Sequence, residues 1–303
     1  MSSFLSAKVI PWGLCLAVLL CHLPAPAQDG QPALRVSLER AYQQWRSAVL
    51  AQDSRAWAAS LSTYRQVMTR NQIISQRKPF PASVFAVPVE PPPIEGLRLL
   101  EAQAVGPTAH LLYFGKINMG GPPAEIPDNI LMLKFFGENG AWKFDSSRLL
   151  KLSEQPEMRA QLQKGGAPDF LDHPQFTPPG KLPPVPPLCN VPEHVTGCTI
   201  QSHGYETKMT LNGFDYPALL DQSEKILVIG GLNNGANTLQ LSVKPTDVPK
   251  DAERLLQVDL FIAPAKPGDA GVRVFHFESK DPNLPPTLTL PVVITPEVLS
   301  KGR

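Results

Sequence analysis

The sequence lacks the short motifs that accompany the commonest catalytic chemistries. Its 303 residues contain no G-x-S-x-G nucleophile turn, no H-E-x-x-H zinc helix and no Walker phosphate loop. The glycine-rich stretch at residues 230–237 lacks the Gly-Lys-Ser/Thr ending of a phosphate loop and precedes a strand pattern, so we interpret it as a turn. A pair of carboxylates of the glycosidase type has no sequence signature and stays open.

A dominant charge is lacking as well. The formal net charge is +1 at pH 7, which argues against a nucleic-acid partner. After residue 27 no apolar run approaches the about 20 residues that a membrane-spanning helix needs. We therefore expect no membrane span after signal cleavage, and the expected partner is an unknown protein or a small-molecule ligand.

The N-terminal residues follow the order of a secretory signal peptide. Lys8 precedes an apolar run over residues 9–23, and Ala25 and Ala27 supply the small residues of a cleavage site. We expect residues 1–27 to be removed and the protein to be exported, to the periplasm or the extracellular space. An uncleaved anchor is the alternative, whereas lipoprotein cleavage before Cys21 is disfavoured because the preceding residue is a leucine.

Cysteine is scarce, and two of the four cysteines belong to the predicted signal peptide. The other two, Cys189 and Cys198, lie close together in a chain expected in an oxidising compartment, so we predict a disulfide between them. With His194 and His203 they form a C-x4-H-x3-C-x4-H pattern, so a zinc site is one alternative, and two free thiols are another. The spacing is unusual for zinc and a disulfide removes the thiolates, so we expect no metal and no cofactor.

Proline is abundant, at 34 residues, about twice its usual share of roughly 5%. Residues 178–187 read PPGKLPPVPP, which excludes a helix or a central strand because proline has no amide donor. We therefore predict a proline-rich linker at residues 153–193. It divides the chain into folded regions at residues 34–152 and 194–298.

The first region changes from helical to strand periodicity along its length. Apolar residues on one helical face recur at Leu38, Tyr42, Trp45 and Val49. Asp53 and the serine after it can cap a second helix, in which the spacing continues. The arginines of both helices are interpreted as a solvated face, with a surface for an anionic partner as the alternative. Four strands are predicted next, at residues 97–105, 108–117, 129–137 and 141–150.

The second region shows short strands at intervals of 8–12 residues, with turns between them and no helical pattern. This regularity predicts an antiparallel β-sandwich. The predicted strands lie at residues 207–212, 225–232, 237–243, 255–262, 272–277 and 288–295.

Two helices followed by strands that end in the hairpin GENGAWKFD resemble the nuclear transport factor 2-like (SnoaL-like) superfamily. The resemblance covers about residues 34–152 and implies an α+β cone-like domain, with helices packed on a curved antiparallel sheet. The stretch IGGLNNGANTLQLSV is similar to immunoglobulin-like domains of exported proteins and implies that an all-β immunoglobulin-like sandwich follows. Neither fold selects one function.

The cone resemblance implies a pocket, for which the candidates are Tyr64, His110, Tyr113 and Trp142. His110 and Tyr113 are weak catalytic candidates, because no carboxylate lies in phase with them; Glu101, in the preceding strand, is the nearest. We expect an exported, non-enzymatic binding or interaction protein of the cell envelope. One alternative is a nuclear transport factor 2-like enzyme that uses His110 and Tyr113 for acid–base chemistry on a small apolar substrate. A second is a carbohydrate-binding module in the sandwich.

Overall fold

The computed structural model describes residues 30–86, 89–118, 126–166, 176–247, 253–264 and 270–301. The predicted signal peptide, residues 1–27, lies outside the described residues. Helices pack against a curled four-stranded antiparallel sheet in the first part of the chain, and a second antiparallel sheet of seven strands follows. None of the helices in the described ranges is long and apolar enough to cross a membrane.

The helices and strands follow one another with few interruptions. The first part contains α1 (Gly30–Leu50), α2 (Ser54–Ser60), α3 (Thr63–Ser75), β1 (Arg98–Val105), β2 (Thr108–Lys116), β3 (Asp128–Glu138), β4 (Ala141–Lys151) and α4 (Pro156–Gln163). The second part contains β5 (Thr196–Leu211), β6 (Phe214–Asp215), β7 (Leu219–Leu227), β8 (Gly235–Pro245), β9 (Leu255–Ile262), β10 (Val272–Ser279), β11 (Thr287–Ile294) and α5 (Pro296–Lys301).

The predicted apolar face of α1 is the face that packs on the first sheet. Leu38, Tyr42 and Val49 are buried there, and the ring of Trp45 lies 4.1 Å from that of Phe144. Burying this apolar face supplies the free energy that holds the helix against the sheet. The predicted cap is also confirmed, because the Asp53 carboxylate accepts hydrogen bonds from the first free amides of α2.

The second predicted helix is wrong in one respect, because the chain forms two helices there. Ser62 caps α3 with its side chain, and its backbone amide donates to the carbonyl of Phe144 at 2.8 Å. This break changes which residues face the first core. Trp57 and Leu61 are buried there, as is Ile73 farther along α3, whereas Tyr64 is half-buried, with its ring centre 6.2 Å from that of Phe136.

The first sheet has the order β1-β2-β3-β4 and two different faces. One face carries the buried residues that meet α1–α3; the other is covered by α4 and by the chain around Phe176. A register shift between Lys134 and Phe135 opposite β4 marks a β-bulge. Because a bulge inserts one extra residue, Asp145 and Ser146 both lie beside Lys134.

The second sheet is organised by its longest strand, β5. The first half of β5 pairs with β9 and the second half with β8 along the same edge, while β7 and β6 pair with the other edge. The change of partner occurs at Gly204, which neither ladder includes. Because β8 and β9 both pair with this edge of β5, the sheet bends around a shared interior. The buried residues of β5, β8, β9 and β11 form one core there.

The proline-rich region does not hang free between the two parts. Gly180 donates its amide to Thr108 Oγ1 at 2.9 Å, Arg77 donates to the Pro192 carbonyl at 2.9 Å, and Asn71 bonds to the backbone on both sides of Leu188. Residues 156–163 of the region form α4. Its extended part therefore lies along α3 and the first sheet as a packed segment.

Candidate functional site

An apolar groove lies where α3, the proline-rich segment and the second sheet meet. Its volume is about 600 Å³, within the range of small-molecule sites. Helix α3 contributes Tyr64 and Met68, and residues 183–187 form a wall of four prolines and a valine. The second sheet and its loops contribute Ile200, Met209, Phe214, Tyr216, Leu219 and Ile226.

The groove has the surface of a binding site but few groups for acid–base chemistry. Among its described lining residues the carboxylates are Asp215 and Glu224. Asp215 accepts hydrogen bonds from Thr210 at 2.6 Å and Lys208 at 3.2 Å, which lower its pKa and hold it as an anion. The Tyr216 hydroxyl accepts from the Ile229 amide at 2.7 Å, and burial raises the pKa of this tyrosine.

A second site, which we call the polar cleft, lies on the face of the first sheet opposite α1 and is also lined by Arg65 of α3. It has a volume of about 490 Å³, and residues 176–183 form its outer wall. His110 on β2 lies opposite Lys134 on β3, which in turn lies opposite Ser146 on β4. The register thus puts a row of three polar residues across the sheet, and the bulge adds Asp145 beside them.

His110 is the most deeply buried polar residue of this row. Its Nε2 donates to Glu101 Oε2 at 2.8 Å, because a carboxylate can only accept. Burial lowers the pKa of His110, while the hydrogen bond and charge of Glu101 act in the opposite direction. The ring is therefore neutral at physiological pH and acts as a hydrogen-bond donor.

Asp145 is the buried acceptor of the cleft. Its carboxylate accepts from Ser62 Oγ at 2.8 Å, Ser146 Oγ at 2.8 Å and the Arg65 guanidinium at 3.2 Å. Three donors compensate for the removal of the charge from water. Arg65 thus belongs to a partly buried ion pair and not to the solvated helix face that the sequence predicts.

The structure separates the four predicted pocket residues. Tyr64 lines the apolar groove and His110 lines the polar cleft. Tyr113 belongs to the core beneath the helices, where its hydroxyl donates to Glu39 at 2.5 Å. Trp142 is half-buried against the same core. His110 and Tyr113 lie three positions apart on one strand and hence on opposite faces, so they do not form an acid–base pair.

The disulfide predicted from the sequence is not formed in the structure, which holds Cys189 and Cys198 as free, buried thiols. Both cysteines belong to the second core, and Cys189 also packs on α3. Cys189 Sγ lies 3.6 Å from the Asn71 carbonyl oxygen, and Cys198 Sγ lies 3.9 Å from the sulfur of Met209.

The alternative zinc set is not assembled either. His194 bonds to Asn234 at 2.9 Å, and His203 bonds to Ser223 at 3.2 Å, away from the two sulfurs. In the described part of the chain, no three His, Cys, Asp or Glu side chains converge as a metal site requires.

Sequence reasoning missed Lys134, Arg65 and Asp145 as members of a site. Lys134 alternates with Leu133 and Phe135 in β3, so its position on the cleft face was visible in the pattern. The position of Asp145 in the cleft could not be predicted from the alternation, because the β-bulge determines where its side chain lies. The apolar groove was also missed, since its walls come from three distant segments.

Comparisons of this chain with protein-family models, with curated proteins and with solved structures find no significant match.

Proposed function

We propose that this chain is an exported, non-enzymatic binding protein that holds a small, uncharged apolar ligand in the apolar groove. The observation that carries the proposal is the groove itself, which is ligand-sized and walled by apolar side chains from α3, the proline-rich segment and the second sheet. Sites of this kind at the junction of two folded parts bind ligands through buried apolar area.

The enzyme alternative has less support. It needs His110 and Tyr113 to act on one substrate, but these side chains lie on opposite faces of the first sheet, and Tyr113 is almost fully buried. The carbohydrate alternative needs exposed aromatic faces on the second sheet. Tyr205 and Tyr216 are buried and Phe214 and Phe261 are half-buried, so none of these four aromatic residues is exposed.

For the fold, we propose that the first part is a nuclear transport factor 2-like domain and the second an immunoglobulin-like sandwich. The order of helices before a curled antiparallel sheet supports the first assignment. The shared core of strands that diverge from β5 supports the second.

Export rests on the charged, apolar and small-residue order of residues 1–27. The test is N-terminal sequencing of protein recovered from the periplasm or medium of a bacterial host. We expect a start near Gln28, and exported protein that begins at Met1 would contradict the cleavage.

The ligand proposal is tested with Nile red, an uncharged apolar dye whose fluorescence rises in apolar surroundings. We expect saturable binding that Met68→Glu weakens by about tenfold or more, because a carboxylate in an apolar wall must be desolvated when the dye enters. Val36→Glu makes the same type of change at an exposed position on α1 and serves as the control. Binding that is equal in both variants would reject the groove as the site.

A further inference from the structure

We propose that the polar cleft is a second binding site, independent of the apolar groove, which takes a small amphipathic carboxylate with Lys134 as the anchor of its head group. The cleft is enclosed by the first sheet on one side and by residues 176–183 on the other. It combines a half-buried cation with apolar walls, and each of these features restricts the ligand.

The cation is the Lys134 ammonium. Lys134 lies between His110 and Ser146 in the row across the sheet and is half-buried. Throughout the described ranges it has no hydrogen-bond or ion-pair partner. A half-buried ammonium without a hydrogen-bond partner loses hydration, which the attraction of the Asp145 charge offsets only in part. An anion in the cleft would supply the missing hydrogen bond.

The surroundings of Lys134 agree with this reading. Burial lowers the pKa of Lys134, and the positive charge of Arg148 acts in the same direction, whereas the charge of Asp145 acts in the opposite direction. A bound carboxylate would add to the effect of Asp145 and favour the ammonium form.

The charges around Lys134 favour an anion. Arg65 and Asp145 neutralise each other, and His110 is neutral beside Glu101. The positive charges of Lys134, the exposed Lys181 at the rim and the nearby Arg148 exceed the charge of the remaining carboxylate, Glu101. A carboxylate can pair with the Lys134 ammonium through a charge-assisted hydrogen bond.

The remaining lining fits a short apolar tail. Apolar surface beyond the polar row comes from Met132, Phe136, Phe176, Leu182 and Pro183. The Phe176 side chain is buried in the core between α4 and the sheet, which closes the cleft at one end. A volume of about 490 Å³ limits the ligand to a compact molecule, such as a medium-chain fatty acid.

The test is isothermal titration calorimetry of the mature protein with sodium octanoate, 1-octanol and octylammonium chloride. Octanoate should bind at least about tenfold more tightly than octanol, as expected for one charge-assisted hydrogen bond, and octylammonium should bind more weakly than either. This comparison uses the unaltered protein, so it does not depend on the folding of a variant. Equal binding of octanoate and octanol would overturn the proposal.

Lys134→Met keeps the length and apolar stem of the side chain and removes its charge. It should reduce octanoate affinity by about tenfold or more and leave octanol affinity unchanged. Lys134→Arg should retain octanoate binding, and Lys225→Met, on the exposed strand β7, should match the unaltered protein. The proposal fails if Lys134→Met binds octanoate normally, or if Met68→Glu abolishes octanoate binding, since the ligand would then lie in the apolar groove.

Discussion

The side-chain amide of Asn71 accepts a hydrogen bond from the backbone amide of Cys189, with 3.0 Å between Oδ1 and N. The same side chain donates to the carbonyl of Pro187 at 2.8 Å and is completely buried. One residue of α3 thus satisfies two backbone groups of the proline-rich segment, which has few amides of its own. Because residues 183–187 line the apolar groove, this pair of bonds also holds one wall of the groove in place.

Replacing Asn71 by alanine should destabilise the protein by about 2–4 kcal/mol, because two buried backbone groups lose their partners. Urea unfolding followed by far-ultraviolet circular dichroism measures this change. Gln72→Ala is the control, since Gln72 is the next residue of α3 and is exposed. Limited proteolysis should cut the Asn71→Ala protein first near residues 183–190, and unchanged stability would show that the segment is held by other contacts.

Gly231 has a backbone conformation and surroundings that exclude a side chain. Its φ is +57°, and an added Cβ would overlap the His194 carbonyl oxygen and lie 2.5 Å from Pro192 Cβ. Gly235 also has a positive φ, +80°, but no atom lies within 4 Å of its added Cβ. Comparing the two alanine variants therefore separates backbone strain from steric overlap.

We expect Gly235→Ala to lose about 1–2 kcal/mol, the cost of a left-handed conformation for an L-residue. Gly231→Ala should lose at least about 2 kcal/mol more, because the backbone at His194 must move. Chemical denaturation of both variants gives the difference directly. If the two lose equal stability, the close approach of the turn at residues 230–231 to His194 is not a constraint.

Because His110 is buried, we expect the free energy of unfolding to decrease at acidic pH. Its pKa is lowered in the folded protein, so the unfolded chain binds a proton more readily. Above the ordinary histidine pKa of about 6.5, His110 is neutral in both the folded and the unfolded state, and the free energy of unfolding does not depend on its protonation. As the pH falls below this value toward the lower pKa of the folded state, the unfolded chain binds the proton first, so the free energy of unfolding decreases. Glu101 and Lys134 are the charged neighbours, and Glu101 limits the effect by favouring the charged ring.

His110→Gln keeps a donor for Glu101 but cannot be protonated. Between pH 7 and pH 5 its unfolding free energy should fall less steeply than that of the unaltered protein, by at most about 1.4 kcal/mol per pH unit. Gln72→Ala, which changes an exposed side chain without a titratable group, should retain the original slope. Identical slopes in all three proteins would mean that His110 does not gain its proton on unfolding in this range.

The two cysteines should be free and unreactive in the folded protein. Both are at least 97% buried, and burial raises the pKa of the Cys198 thiol to about 12, with Asp259 acting in the same direction. A thiol reagent should therefore count two thiols per mature chain after unfolding without reductant and few before. A count of zero in the unfolded chain would restore the Cys189–Cys198 disulfide.

The sequence alone determined the helix that packs on the first sheet and most strand positions. The spacing of Leu38, Tyr42 and Val49 requires one buried face whatever lies opposite it, because helical periodicity is a local property. The cap at Asp53 and the alternation within β2 and β3 are local in the same sense. These features were predicted correctly because each depends on residues within a few turns or one strand of chain.

The two sites were decided by the tertiary structure. Asp145 lies in the cleft because of the bulge opposite Lys134. Tyr64 lines the groove because the helix breaks at Ser62, whose backbone amide donates to β4. The route of the proline-rich segment depends on Asn71, more than 110 positions before Cys189. Contacts of this kind leave no periodic trace in the sequence, because they depend on which distant surfaces bury one another when the chain folds.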